Sequence, residues 1–185
     1  MDQVSIPKEM AWTLYRPYVI RRLVRSGWSA REAVMAVREQ KPAAFRELQA
    51  EMKARPVYWD RAPALQRYNY VGAWPVLSRG NNIGVPQVVE PGANLDFDGD
   101  KINLHVPSHH SAVQDVIEKM MPSKNLWHPA DFDVHLKPDK DYLAGLYLAT
   151  NVKKDKPART FASKEDAYKA YLRGDLGVAD PVVIL

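Results

Sequence analysis

The chain contains no cysteine among its 185 residues. Disulfides and thiolate metal sites are therefore excluded, and a reducing compartment is the simpler expectation. No apolar run approaches the roughly 20 residues that a membrane-spanning helix requires. The opening Met1-Asp2-Gln3-Val4 has no basic segment leading into an apolar one, so no signal peptide is read and a cytoplasmic location is expected. Neither sign of charge dominates: 26 Lys and Arg stand against 22 Asp and Glu, a net +4 that permits nucleic acid as a partner without demanding it. A glycine-lysine-serine phosphate loop is missing, as is a serine or cysteine in an elbow motif, which leaves P-loop and conventional hydrolase readings without residues. Internal repeats and low-complexity tracts are also absent. What is there is ordinary globular composition, 46% hydrophobic and 26% charged, at a length that suits one domain.

The first third reads as helical. Met10, Ala11, Leu14, Tyr15, Tyr18, Val19, Arg22 and Leu23 recur at three- and four-residue steps after Pro7, and Ser26-Gly27 ends the run. Pro17 interrupts it, so one kinked helix or two short ones are both open. Ser29 and Glu32 have capping-box spacing for a helix to about Gln40, and a third helix follows Pro42. Between Pro56 and Pro91 the texture changes to short apolar runs cut by turn formers. Val57-Tyr58-Trp59, Val76-Leu77 and Val85 to Val89 are expected as strands, with a turn at Ser78 to Asn82. Lys101 to Val106 alternates as a half-buried strand, and a helix is expected from Pro107-Ser108 to Met120. A loop over Ser123 to Asp139 precedes a short helix from about Asp141 to Leu148 and a lysine-rich linker, Asn151 to Pro157. Ser163 caps a last helix, and Val182 to Leu185 is expected to close the sheet.

Chemistry concentrates in Asn94-Leu95-Asp96-Phe97-Asp98-Gly99-Asp100, expected between two strands. Carboxylates at i, i+2 and i+4 share a face of an extended chain and can converge in a tight loop. Oxygen ligands alone favour a hard cation, Mg²⁺ or Mn²⁺, over zinc. Gly99 gives the backbone a conformation closed to other residues. A calcium-binding helical hand fails on count, because its glycine and glutamate positions hold Lys101 and Pro107. A solvated acidic turn and a metal loop both remain open on spacing alone. His109 and His110 point about 100° apart on a helix and lack further ligands at zinc-site spacing. Asp131, Asp133 and His135 read as a polar loop.

The flanks of the acidic loop carry a resemblance. The loop followed by His105-Val106-Pro107 resembles the active-site loop of the largest catalytic subunit, beta-prime, of multisubunit DNA-dependent RNA polymerases. Upstream, Asp60-Arg61-Ala62-Pro63-Ala64-Leu65-Gln66-Arg67 is similar to that family's Asn-Arg-Ala-Pro-x-Leu-His-Arg segment, and Pro75-Val76-Leu77 matches in place. Pro7-Lys8-Glu9-Met10-Ala11 and Tyr15-Arg16-Pro17 resemble the helix entering the region. Downstream, Met120-Met121, Asn125, Pro129-Ala130, Leu143 to Thr150 and Phe161 to Ala167 follow the family order.

The resemblance implies an α+β fold, a double-psi beta barrel with N-terminal and inserted helices. It implies one domain over 1–185, with a helical lead-in at 1–55 and the barrel at 56–185. Asp96, Asp98 and Asp100 would hold a catalytic Mg²⁺ for nucleotidyl transfer, and Arg61 and Asn94 would lie near the ribose of the incoming nucleotide. Implied partners are the remaining polymerase segments, including a beta-like barrel and the rest of beta-prime, with DNA template, RNA and nucleoside triphosphates; no membrane is implied. A split or reduced polymerase of phage type is one expectation, placing the chain in a host cytoplasm or virion. A non-catalytic interaction or virion module is the alternative. Lys101 stands where the family has glutamine, Gln66 where it has histidine, and Asp60 where it has asparagine. Counterparts of the bridge helix, trigger loop, clamp and zinc-binding parts are not expected within these 185 residues, and Asp2 to Ile6 is a candidate for an early strand.

Overall fold

The computed structural model describes residues 1–65, 67–128, 133–134, 136–139, 141–151 and 156–185. Contacts divide the chain into two units, Met1–Lys137 and Pro138–Leu185. The first opens with β1 (Gln3–Pro7), the candidate early strand, and then three helices: α1 (Lys8–Arg25), α2 (Ala30–Arg38) and α3 (Pro42–Ala54). Pro17 lies inside α1 without ending it. The carbonyl its ring leaves unpaired is that of Thr13, and both residues face solvent, where water can satisfy it. The Ser29 capping box forms in full: its hydroxyl accepts from the Glu32 N–H at 3.2 Å while the Glu32 carboxylate accepts from the Ser29 N–H at 3.0 Å.

Strand β2 (Val57–Asp60) pairs antiparallel with β3 (Tyr70–Ser78), which also pairs in parallel with β1. A short β4 (Asn103–His105) joins the free side of β2, giving the order β1-β3-β2-β4 in a mixed sheet. The structure is thus mixed in helix and strand. Alternation in β2 and β1 buries Val4, Ile6, Val57 and Trp59 completely against Tyr15, Val19 and Leu48 of the helices.

Three expectations are corrected. Val85 to Val89 is not a strand: Gly84 makes a single bridge to Ser5, and Gln87–Val89 turns as a 3₁₀ helix into the one-turn α4 (Glu90–Ala93). Proline at 86 and again at 91 explains this, since neither can donate to a ladder. The acidic loop consequently runs from a helix to β4 rather than from strand to strand. Third, Val182–Ile184, here β6, does not close the main sheet.

After β4, α5 (His110–Asp115) continues into a wider π-helical turn over Val116–Met120. This turn packs closely on β3, where a Cβ on Gly72 would meet Val116 and Met120 at 3.0 and 3.1 Å. The second unit holds α6 (Asp141–Thr150), β5 (Arg159–Phe161), α7 (Lys164–Leu172) and β6 (Val182–Ile184), with β5 and β6 forming their own parallel pair. Most of the lysine-rich linker, and Asp131 and His135, lie outside the described residues. Among the described residues no helix is long and apolar enough to cross a membrane.

Candidate active site

The acidic loop is tied at both ends. On its N-terminal side α4 stops at Asn94, whose φ of 50° is left-handed, a conformation asparagine tolerates better than most residues. The Leu95 N–H returns to the Glu90 carbonyl at 3.0 Å, and the Leu95 side chain is buried beside Val89 and Ala93. That anchor leaves Asn94, Asp96, Phe97 and Asp98 in solvent. Within the loop, the Asp96 N–H donates to Asp100 Oδ2 at 2.8 Å and the Phe97 N–H to Asp96 Oδ1 at 2.9 Å. Gly99 has φ of 114°, the region that favours glycine, as its place in the triplet led us to expect.

On the C-terminal side β4 is clasped to β2 by side chains as well as backbone. Asp60, buried at the end of β2, accepts from Asn103 Nδ2 at 3.1 Å and lies 3.2 Å from His105 Nε2. His105 also stacks on Tyr58 at 4.9 Å between ring centroids. Behind the strand, Arg55 Nη1 donates to the Pro107 carbonyl at 2.7 Å and Nε to Glu51 at 2.8 Å, while Tyr15 Oη donates to the Arg55 carbonyl at 2.8 Å. Burial, with the Glu51 carboxylate nearby, pushes the Tyr15 phenol far up, so it stays a donor. The clasp was missed in the sequence, although Asn103 and His105 two apart on the polar face of a strand were a usable signal.

Leaving β2 immediately after Asp60, Arg61 reaches across to the loop. Its Nε lies 2.6 Å from Asp100 Oδ2 and its Nη2 3.1 Å from Asp100 Oδ1, a two-pronged ion pair that is mostly buried. The structure therefore brings Arg61 to Asp100 and puts Asp96, Asp98 and Asn94 on the same exposed loop. It does not gather the three carboxylates on one point: among the described residues no group of three or more His, Asp or Glu side chains is arranged as for a metal. By donor chemistry the set still fits a hard cation, being all carboxylate, accessible at Asp96 and Asp98, and fixed in backbone by Gly99. An open groove of about 550 Å³ runs beside the loop, bounded by Asp96, Phe97, Asp100 and Lys101 together with Met10, Asn81 and Ile83. His109 and His110 are exposed.

Residues 46–122, which include β2, β3, the acidic loop and β4, match the family model for RNA polymerase Rpb1, domain 2. Over its full length the chain is 31% identical to the DNA-directed RNA polymerase subunit beta' of Thermus aquaticus. The chain is homologous to a segment of the RNA polymerase beta' subunit. The beta' subunit of Tropheryma whipplei is 34% identical and that of Symbiobacterium thermophilum 33%, each again over 100% of this chain. The chain spans 12%, 15% and 16% of the length of these three beta' relatives.

Proposed function

We propose that the chain is the metal-bearing catalytic segment of a DNA-directed RNA polymerase, active only with partner subunits. The observation that carries the reading is the loop of Asp96, Asp98 and Asp100, exposed at the first two and held by Arg61 at the third, in a chain that aligns with beta' from end to end. In this reading Asp96, Asp98 and Asp100 hold Mg²⁺. When bound, the ion would supply positive charge to the attacking 3′-hydroxyl and to the departing pyrophosphate. Asn94 opens the loop and Arg61 holds its last aspartate, and in this reading both meet the ribose of the incoming nucleotide. The chain's residues otherwise orient and anchor: Leu95 and the Asp60 clasp keep the loop in place.

The four-stranded sheet is proposed as the core of a double-psi barrel in the first unit, with β1 contributed from within residues 1–55 and the helices α1 to α3 forming the lead-in to β2. Parallel pairing of β1 with β3, and hydrogen bonding of β4 to β2, support that assignment. Proposed partners are a beta-like barrel, the remainder of beta', a DNA template, RNA and nucleoside triphosphates, in a split or reduced polymerase of the kind phages encode, working in the host cytoplasm. Affinity capture of the tagged chain from its native cell, followed by mass spectrometry and an RNA extension assay on the captured material, tests the proposal. Polymerase subunits and Mg²⁺-dependent extension are expected. Capture of structural proteins alone, without extension, would contradict it.

A further inference from the structure

Asp100 already carries several donors. Its Oδ2 takes Arg61 Nε at 2.6 Å and the Asp96 N–H at 2.8 Å, and its Oδ1 takes Arg61 Nη2 at 3.1 Å. A carboxylate offers about four lone-pair sites, so these three donors leave little capacity for a cation on the same group. The guanidinium also adds charge of the cation's own sign at the ligand itself. Lys101 adds more charge at the next position along the chain.

We infer that Arg61 is a positioning residue that competes with a divalent cation for Asp100, so that cation binding and release of the Arg61 guanidinium are one coupled event. The inference rests on the reading of the loop as a Mg²⁺ site. Its consequence is ordering. Arg61 holds Asp100 and, through it, the Asp96 N–H in a closed loop, and it becomes available to a ribose hydroxyl only as the cation takes its place. By linkage, a nucleotide that draws Arg61 away tightens cation binding by the same factor.

Two measurements on the full chain test this. Mn²⁺ binding followed by electron paramagnetic resonance should be about tenfold tighter in Arg61→Gln, because one positive charge beside a divalent ion has gone. Arg61→Lys, which keeps that charge but loses the two-pronged contact, should fall between the parent and Arg61→Gln. A merely structural role for Arg61 would weaken binding in both variants. The second measurement needs no substitution: in a ¹⁵N spectrum of the parent titrated with Mg²⁺, the Arg61 Nε–H signal should shift with the same midpoint as the Asp96 amide. Unchanged or weaker Mn²⁺ affinity in Arg61→Gln, or an Arg61 signal indifferent to Mg²⁺ while the loop amides move, overturns the inference. Asp98→Ala separates the two levels: if it binds Mn²⁺ as the parent does, or the parent binds none, the metal reading itself has failed and the inference with it.

Discussion

Gly99 shows how a single residue shapes the loop. With φ at 114° and open space where a Cβ would stand, the obstacle to any other residue is backbone strain and not collision. Gly99→Ala should therefore lower stability by about 1 to 3 kcal/mol in urea denaturation, without disturbing the core. Glu32 offers a pH test at the same scale. Hydrogen bonds from the Ser29 hydroxyl and then the Ser29 N–H hold its carboxyl below the usual range. A depressed folded value means stability that is present above the unfolded pKa of about 4.3 and lost as pH falls through the folded one. Urea midpoints measured from pH 6 down to pH 3 should therefore fall less steeply in Glu32→Gln than in the parent.

Among the elements, β4 is the one on which the site depends, and it is only three residues long, Asn103–His105. Its backbone ladder to β2 is short, so the Asp60 side chain bears much of the attachment through Asn103 and His105. Asp60→Ala should cost about 1 to 3 kcal/mol through the loss of two hydrogen bonds to a carboxylate, because Asn103 and His105 are exposed and water satisfies them afterwards. Hydrogen exchange should show faster opening at Asn103 and His105 than in α1. Elements like α2 were legible because their signals are local: Ser29 and Glu32 lie within one turn of each other. The stretch from Val85 to Val89 was misread because short apolar runs suit a strand or a buried turn equally, and Pro86 and Pro91 decided between them. β6 was recognised as a strand, but its pairing with β5 is a long-range choice that no local pattern encodes. The Asp60 clasp likewise depends on strands about 40 residues apart in the chain meeting in register.

For the molecule as a whole, the likeness to beta' was legible because acidic-loop and flanking motifs run in order along the chain, and comparison with beta' subunits agrees over the full length. The loop's geometry was not legible: no spacing rule says that Arg61 leaves β2 pointed at Asp100. That ion pair is what distinguishes a loop that merely contains three aspartates from one whose charges are already managed. The central claim is that this loop supports nucleotidyl transfer once partner subunits complete the site. The most direct test is Mg²⁺-dependent RNA extension by a complex reconstituted from captured partners and either the parent chain or Asp98→Ala. Asp98 is exposed, so its loss should leave folding and capture intact. The account predicts that extension falls on the order of 10²-fold or more in Asp98→Ala with assembly unchanged. Full extension by the Asp98→Ala complex would contradict it.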